Sequence, residues 1–155
     1  MLYRLLALGS LISLVACNGV HEPSTPTPSV NTGLESSRPI ELEATLTELT
    51  QRPTPSGLPT RLQITSPRLP GPGEKVEITW RSLDGSPQMA PRAGSGFFVL
   101  ADGRTINITL IAVNGGDQAT LVLEGTLEGA QARGNFADRL FYPRSGVFVA
   151  QIRQE

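Results

Sequence analysis

Residues 119–136, with the sequence ATLVLEGTLEGAQARGNF, decide the fold of this chain. Apolar or small residues alternate with polar ones on both sides of Glu128-Gly129, which is the kind of tight-turn signal that joins hairpin strands. One arm places large leucines on its apolar face, and the facing arm carries Ala130, Ala132, Gly134 and Phe136 there. Because large side chains opposite small ones let a strand pair curve sharply, the stretch predicts a hairpin of a barrel-like sheet.

The same period-two alternation recurs along the rest of the chain. It predicts further strands at 40–47, 61–65, 75–81, 97–100, 105–113 and 147–152. Residues 40–47 also contain good helix formers, but their strict alternation and their threonines favour a strand. Segments rich in Pro and Gly, at 51–57 and 86–96, predict loops, and turn signals stand at Asp84-Gly85, Asp102-Gly103 and Asn114–Asp117.

About eight strands without a convincing helix place the chain in the all-β class. Eight antiparallel strands can close into a barrel or fold as a β-sandwich. Because the predicted strands follow one another as hairpins, we expect a single antiparallel domain, with a meander barrel resembling lipocalins favoured over a sandwich. The apolar face of this domain should carry Val76, Ile78 and Trp80 from one strand, and Phe148, Ala150 and Ile152 from the last strand.

Composition limits the chemistry that the chain can perform. Of 155 residues, 13 are Lys or Arg and 14 are Asp or Glu, so no basic excess favours binding to nucleic acid. The single cysteine is Cys17 and the single histidine is His21, so the segment from Ile40 onward has neither. This composition excludes a Ser-His-Asp triad, a cysteine nucleophile and a typical zinc or copper site from the predicted domain.

The first 17 residues have the anatomy of a secretory signal. Arg4 precedes an apolar segment that is shorter than the ~20 residues needed to span a bilayer, which disfavours a transmembrane helix. Leu14-Val15-Ala16-Cys17 ends the segment and resembles the lipobox of bacterial lipoproteins. The resemblance implies cleavage before Cys17, a diacylglyceryl thioether on its sulfur and, in many lineages, a further acyl chain such as palmitate. Two or more acyl chains anchor a protein stably to a membrane.

Three segments follow from these observations: a lipoprotein signal peptide at 1–16, a lipidated cysteine with a tether at 17–39, and a β-barrel or β-sandwich domain at 40–155. The tether is rich in Pro, Ser and Thr and has no apolar periodicity, which is typical of a disordered linker. His21 lies in this tether, where we expect it to be solvated. With Cys17 modified, no cysteine remains for a disulfide bond, so the core alone must stabilise the domain.

Three groups of side chains are candidates for a functional site. The aromatic residues could line a ligand cavity inside a barrel: Trp80, Phe97, Phe98, Phe136 and Phe148. The aspartates could act as carboxylate catalysts, although each stands at a turn signal, where aspartate commonly bonds to the backbone: Asp84, Asp102, Asp117 and Asp138. The arginines near the C-terminus could bind an anionic ligand or form a solvated face: Arg133, Arg139, Arg144 and Arg153.

The leading functional hypothesis is a lipid-anchored cell-envelope lipoprotein, on the extracytoplasmic side of a bacterial membrane. Its non-enzymatic β domain would bind an envelope protein or support the envelope, with no cofactor or metal. One alternative is a lipocalin-like carrier of a small apolar ligand, which requires an unfilled barrel interior. The other is an envelope enzyme that works through carboxylates.

Overall fold

A computed structural model describes residues 33–86, 92–112 and 119–154. The described chain forms eight strands: β1 (Ile40–Glu48), β2 (Arg61–Ser66), β3 (Lys75–Ser82), β4 (Ala93–Leu100), β5 (Thr105–Ala112), β6 (Thr120–Glu128), β7 (Gln131–Asp138) and β8 (Arg144–Gln154). The predicted signal peptide, Cys17, most of the tether, Val113 and the turn Asn114–Asp117 lie outside the described residues. Within the described ranges, no helix is long and apolar enough to cross a membrane.

The eight strands form one closed antiparallel barrel in which each strand pairs with the next along the chain. The first and last strands complete the ring, with a register that runs from Ile40↔Gln154 to Glu48↔Gly146. The meander barrel predicted from the sequence is therefore confirmed, and a β-sandwich is ruled out. Residues 40–47 belong to a strand and not to a helix.

The inner face of the barrel is the apolar face that the alternation predicts. Along β3, buried Val76, Ile78 and Trp80 alternate with exposed neighbours, and along β8 the same holds for Phe148 and its inward neighbours Ala150 and Ile152. One contiguous hydrophobic cluster includes inward residues from all eight strands. Because each strand contributes every second side chain to the same volume, the interior is the core of the domain.

The hairpin of β6 and β7 curves where two glycines meet. Gly125 and Gly134 lie opposite each other in the ladder. A Cβ atom on Gly134 would lie 2.0 Å from the Glu124 carbonyl oxygen and 2.5 Å from the Gly125 Cα. The neighbouring strand thus approaches closer than any side chain allows, which is how the pair bends inward to close the barrel.

Two strands begin earlier than predicted. β4 begins at Ala93 and not at Phe97, so Gly94 and Gly96 belong to the strand and not to the predicted loop. A Cβ at Gly94 would lie 1.9 Å from the Ile111 carbonyl oxygen and 2.7 Å from the Trp80 indole nitrogen. Glycine therefore serves strand approach at this position and not a turn. β8 likewise begins at Arg144, before the predicted Val147.

Loops close both ends of the barrel. At the end where β1 begins and β8 ends, here called the proximal end, Leu69 joins the core and Leu34 packs against it. At the opposite, distal end, Leu58 is buried and Leu140 joins the core. The tether precedes β1, so it connects to the barrel at the proximal end.

Replacing Gly134 with alanine should destabilise the domain, because the new methyl group must push β6 away from β7. We expect a loss of about 1–3 kcal/mol in the free energy of unfolding, measured by urea denaturation. Asn135→Ala is the matched control, since Asn135 is an exposed neighbour on the same strand. Equal stability of Gly134→Ala and the wild type would contradict the close approach of the two strands.

Candidate functional site

Four of the five aromatic residues predicted to line a cavity lie inside the barrel. Trp80, Phe98, Phe136 and Phe148 are between 0% and 3% exposed and belong to the core cluster. Phe97 does not join them, because it follows the strand alternation to the outer face and is half-buried there. Adjacent residues of a regular strand point to opposite faces, so Phe97 and Phe98 cannot both line the interior.

Trp80 is fixed at the distal end of the core. Its indole Nε1–H donates a hydrogen bond to the Ile111 carbonyl oxygen at 2.9 Å. Its ring packs edge-on against Phe141, with centroids 5.7 Å apart and planes at 88°. A buried tryptophan whose only polar atom is already bonded acts as a structural anchor.

The described interior is filled by its own side chains. Inward residues of the central layers are 0% exposed, among them Leu42, Leu62, Ile108, Leu110 and Leu123. A ligand cavity would leave accessible surface on the side chains around it, whether or not it opened to solvent. The arrangement is a packed core of the kind that eight-stranded barrels can form.

The described aspartates among the candidate catalysts hold loops in place. The Asp84 carboxylate accepts hydrogen bonds from the Thr60 and Arg61 backbone N–H groups at 2.8 and 3.0 Å. Asp102 accepts bonds from the Arg104 and Thr105 backbone at 3.0 and 2.5 Å. Partial burial opposes ionisation of Asp84, yet the hydrogen bonds together lower its pKa, and backbone bonds lower the pKa of Asp102.

Asp138 forms a buried ion pair with Arg144, and both lie at the distal end of the core. The two side chains are 0% and 3% exposed, and Arg144 Nε lies 2.8 Å from Asp138 Oδ2. The other carboxylate oxygen accepts the backbone N–H groups of Leu140 and Phe141 at 2.9 and 3.0 Å. Desolvation raises the pKa of Asp138, and the hydrogen bonds and the nearby guanidinium only partly offset that rise.

Arg144 also joins two loops, since its Nη2 donates to the Pro59 carbonyl oxygen at 2.6 Å. The prediction that Arg144 shares an anion-binding or solvated face with the other C-terminal arginines is therefore wrong. Arg133, Arg139 and Arg153 are exposed, whereas Arg144 points inward. The signal was in the sequence: Arg144 has the same parity as Gly146 and Phe148, which face the core.

The outer wall carries a groove of about 620 Å³ across β2, β3 and β4. Small hydroxyl side chains form part of it (Thr65, Thr79 and Ser95), and Pro67, Glu77 and Phe97 complete its polar and aromatic rim. The Lys75 ammonium lies 3.6 Å from the centroid of the Phe97 ring, a cation–π contact that holds the ring in place. This groove was not predicted from the sequence, although Pro67, directly after β2, is a signal for an interrupted ladder.

The described residues hold no group of three His, Cys, Asp or Glu side chains suited to a metal ion. The groove offers hydroxyl groups, a carboxylate and an aromatic face, which is a set suited to recognition by contact and hydrogen bonding. It lies on the outer wall of the filled barrel, on strands β2, β3 and β4.

Replacing Arg144 with methionine should leave the Asp138 carboxylate buried without its cation. We expect a loss of about 3–5 kcal/mol in the free energy of unfolding at neutral pH, from thermal or urea denaturation. With Arg144 gone, the folded-state pKa of Asp138 moves further above its unfolded value of 3.8. The folded variant then binds protons more readily than the unfolded chain, so its penalty should shrink as the pH falls toward 4.

Arg139→Met is the matched control, because Arg139 is exposed and lies in the same turn. A penalty for Arg144→Met that equals the control, or that does not depend on pH, would contradict a structural role for the buried pair.

The chain matches no protein-family model, no curated protein and no solved structure.

Proposed function

We propose that the protein is a lipid-anchored envelope lipoprotein whose barrel is a rigid, non-enzymatic scaffold for binding an envelope protein. The anchor rests on Leu14-Val15-Ala16-Cys17 at the end of an apolar segment. The binding role rests on one observation: the core is filled, and the groove of about 620 Å³ lies on the outer wall. Because the core is filled, the candidate binding surface is the outer wall and not the interior.

The geometry of the chain fits an anchored module. The tether enters at the proximal end, where β1 begins at Ile40. As a flexible coil, the segment from Cys17 to Thr32 would span ~22 Å, enough to hold the barrel clear of the lipid headgroups. The groove would then lie on a side wall that neighbouring envelope proteins can approach.

The two alternatives receive less support. A carrier of small apolar ligands needs a hollow interior, but the inward side chains in the central layers of the described strands are 0% exposed. A carboxylate enzyme needs free carboxylates, yet Asp84, Asp102 and Asp138 bond to loop backbones. Asp117 lies outside the described residues.

Replacing Cys17 with alanine should release the protein from the membrane, because the thioether that carries the diacylglyceryl group cannot form. In a bacterial host we expect the wild type in the membrane fraction, with an acylated N-terminal peptide by mass spectrometry. The membrane-bound share of Cys17→Ala should fall at least about tenfold. Ser24→Ala, a substitution in the predicted tether, is the control. Membrane retention of unprocessed Cys17→Ala would indicate a transmembrane helix instead.

A photoreactive residue at Ser95 should cross-link to a specific envelope protein in intact cells, because Ser95 lies in the groove. The matched control carries the same residue at Asn135, which is exposed on β7. We expect an adduct of defined mass at position 95 that is at least about tenfold weaker at position 135. Equal labelling at both positions, or none at either, would count against partner binding through the groove.

A further inference from the structure

The barrel wall is incomplete between β2 and β3. The ladder between these strands runs only from Leu62↔Ser82 to Thr65↔Thr79. On its other side, β3 pairs with β4 along its length, from Lys75↔Val99 to Arg81↔Ala93. The first residues of β3 therefore extend past the end of β2 and lack a strand on that side.

The direction of the backbone groups follows from the hydrogen bonds at the other end of β3. The Leu83 N–H donates to the carbonyl oxygen of Arg61, the first residue of β2, and the Ser82 N–H donates to the carbonyl oxygen of Arg92, which precedes β4. Along a regular strand these directions alternate, so odd-numbered residues of β3 turn their N–H and C=O groups toward the β2 side. Lys75 and Glu77 thus direct their backbone groups into the space that β2 vacates.

The loop that follows β2 does not pair with these backbone groups of β3. Pro67 lies where β2 would face Glu77, and proline has no N–H to donate. The loop is tied elsewhere: Glu74 accepts from Gly71 N–H at 2.9 Å and pairs with Arg68, and Gly73 N–H donates to the Leu100 carbonyl at 2.7 Å. Among the described residues, no backbone hydrogen bond joins Lys75 or Glu77 to this loop.

We propose that an extended segment of a partner protein adds to the free edge of β3, bonding to the backbone of Lys75 and Glu77. This inference rests on the proposed function and names the kind of partner that the groove takes. Backbone donors and acceptors on an open strand edge recognise an extended peptide, and adjacent pockets select its side chains. The groove beside the edge, between Pro67 and Phe97, receives the outward side chains of the added strand.

The charge of the groove specifies the segment further. Glu77 is exposed, and no ion pair joins it to a described basic residue. Lys75 is already placed over the Phe97 ring. A Lys or Arg next to Glu77 in the added strand would complement this carboxylate, so the partner segment is extended and carries a basic side chain.

The chain's own tether is a poor occupant of the edge. Pro23, Pro26 and Pro28 remove backbone donors from it. The residues just before β1 also lie on the β8 side of that strand and not on the β2 side. Gln154 of β8 bonds to both backbone groups of Glu35, with its Oε1 accepting from the N–H at 2.9 Å.

A second copy of the chain is disfavoured for a different reason. Antiparallel pairing of two β3 edges would be two-fold symmetric, so the two barrel axes would run in opposite directions. The proximal ends and their tethers would then point away from each other, whereas both anchors belong to one membrane under the proposed function.

The test uses octapeptides selected from a random display library against the full chain in detergent micelles. We expect the selected peptides to contain a Lys or Arg and to slow amide hydrogen exchange at Lys75 and Glu77. Methylating the peptide's backbone nitrogens one at a time should weaken binding about tenfold or more at alternate positions only, because alternate residues face β3.

Glu77→Pro removes only the N–H that faces the vacated side, so β3 keeps its ladder to β4. We expect it to bind the peptides at least about tenfold more weakly than Glu77→Ala, which lacks the charge but keeps the N–H. Thermal unfolding of both variants checks the fold. If Glu77→Pro fails to fold, the methylation series decides the question by itself.

Three results would overturn the proposal. They are the selection of no peptide, affinity that is insensitive to backbone methylation, and slow exchange at Lys75 and Glu77 in the free protein. The last would mean that the tether or a second copy occupies the edge, and sedimentation over a range of concentrations would tell these apart. None of these results bears on the fractionation of Cys17→Ala, so the anchor and the peptide site can fail separately.

Discussion

Closure of the sheet by the ladder between β1 and β8 is the constraint on which the rest of this structure depends. An open sheet would leave two unpaired edges, and the ring removes both. Closure also turns all eight inner faces toward one volume, so every second residue of every strand competes for the same space. The glycines of the wall, above all Gly125 opposite Gly134, allow the strands to bend enough to meet.

An eight-stranded ring can be filled by side chains or can hold a small ligand, and the described interior of this one is filled. Leucine, isoleucine and aromatic side chains occupy it, and the polar groups within it are bonded: Trp80 to the Ile111 carbonyl, and Asp138 to Arg144 and the loop backbone. Among described residues, no buried side-chain polar atom lacks a partner. Chemistry or recognition must therefore be sought on the outer wall.

The closed ring has a weak point between β2 and β3. β2 ends at Ser66 while β3 extends back to Lys75, so the ladder between these two strands is interrupted near the proximal end. The groove with Phe97 and Glu77 adjoins this interruption. The edge is short, so in our proposal it takes a single extended segment and offers little template for open-ended aggregation.

The sequence by itself determined the strands and most of their inward faces, because a period of two is a local property of the chain. The alternation along β8 and β4 also places Arg144 inside the barrel and Phe97 and Phe98 on opposite faces, although neither placement was predicted. Only the tertiary structure decided where β4 begins, because Gly94 and Gly96 are required by the approach of β5 and by the Trp80 ring. It likewise decided the register that leaves the first residues of β3 past the end of β2, and it decided that the core is full. Pairing between distant segments and the volume that they enclose depend on the closed ring, which no local pattern specifies.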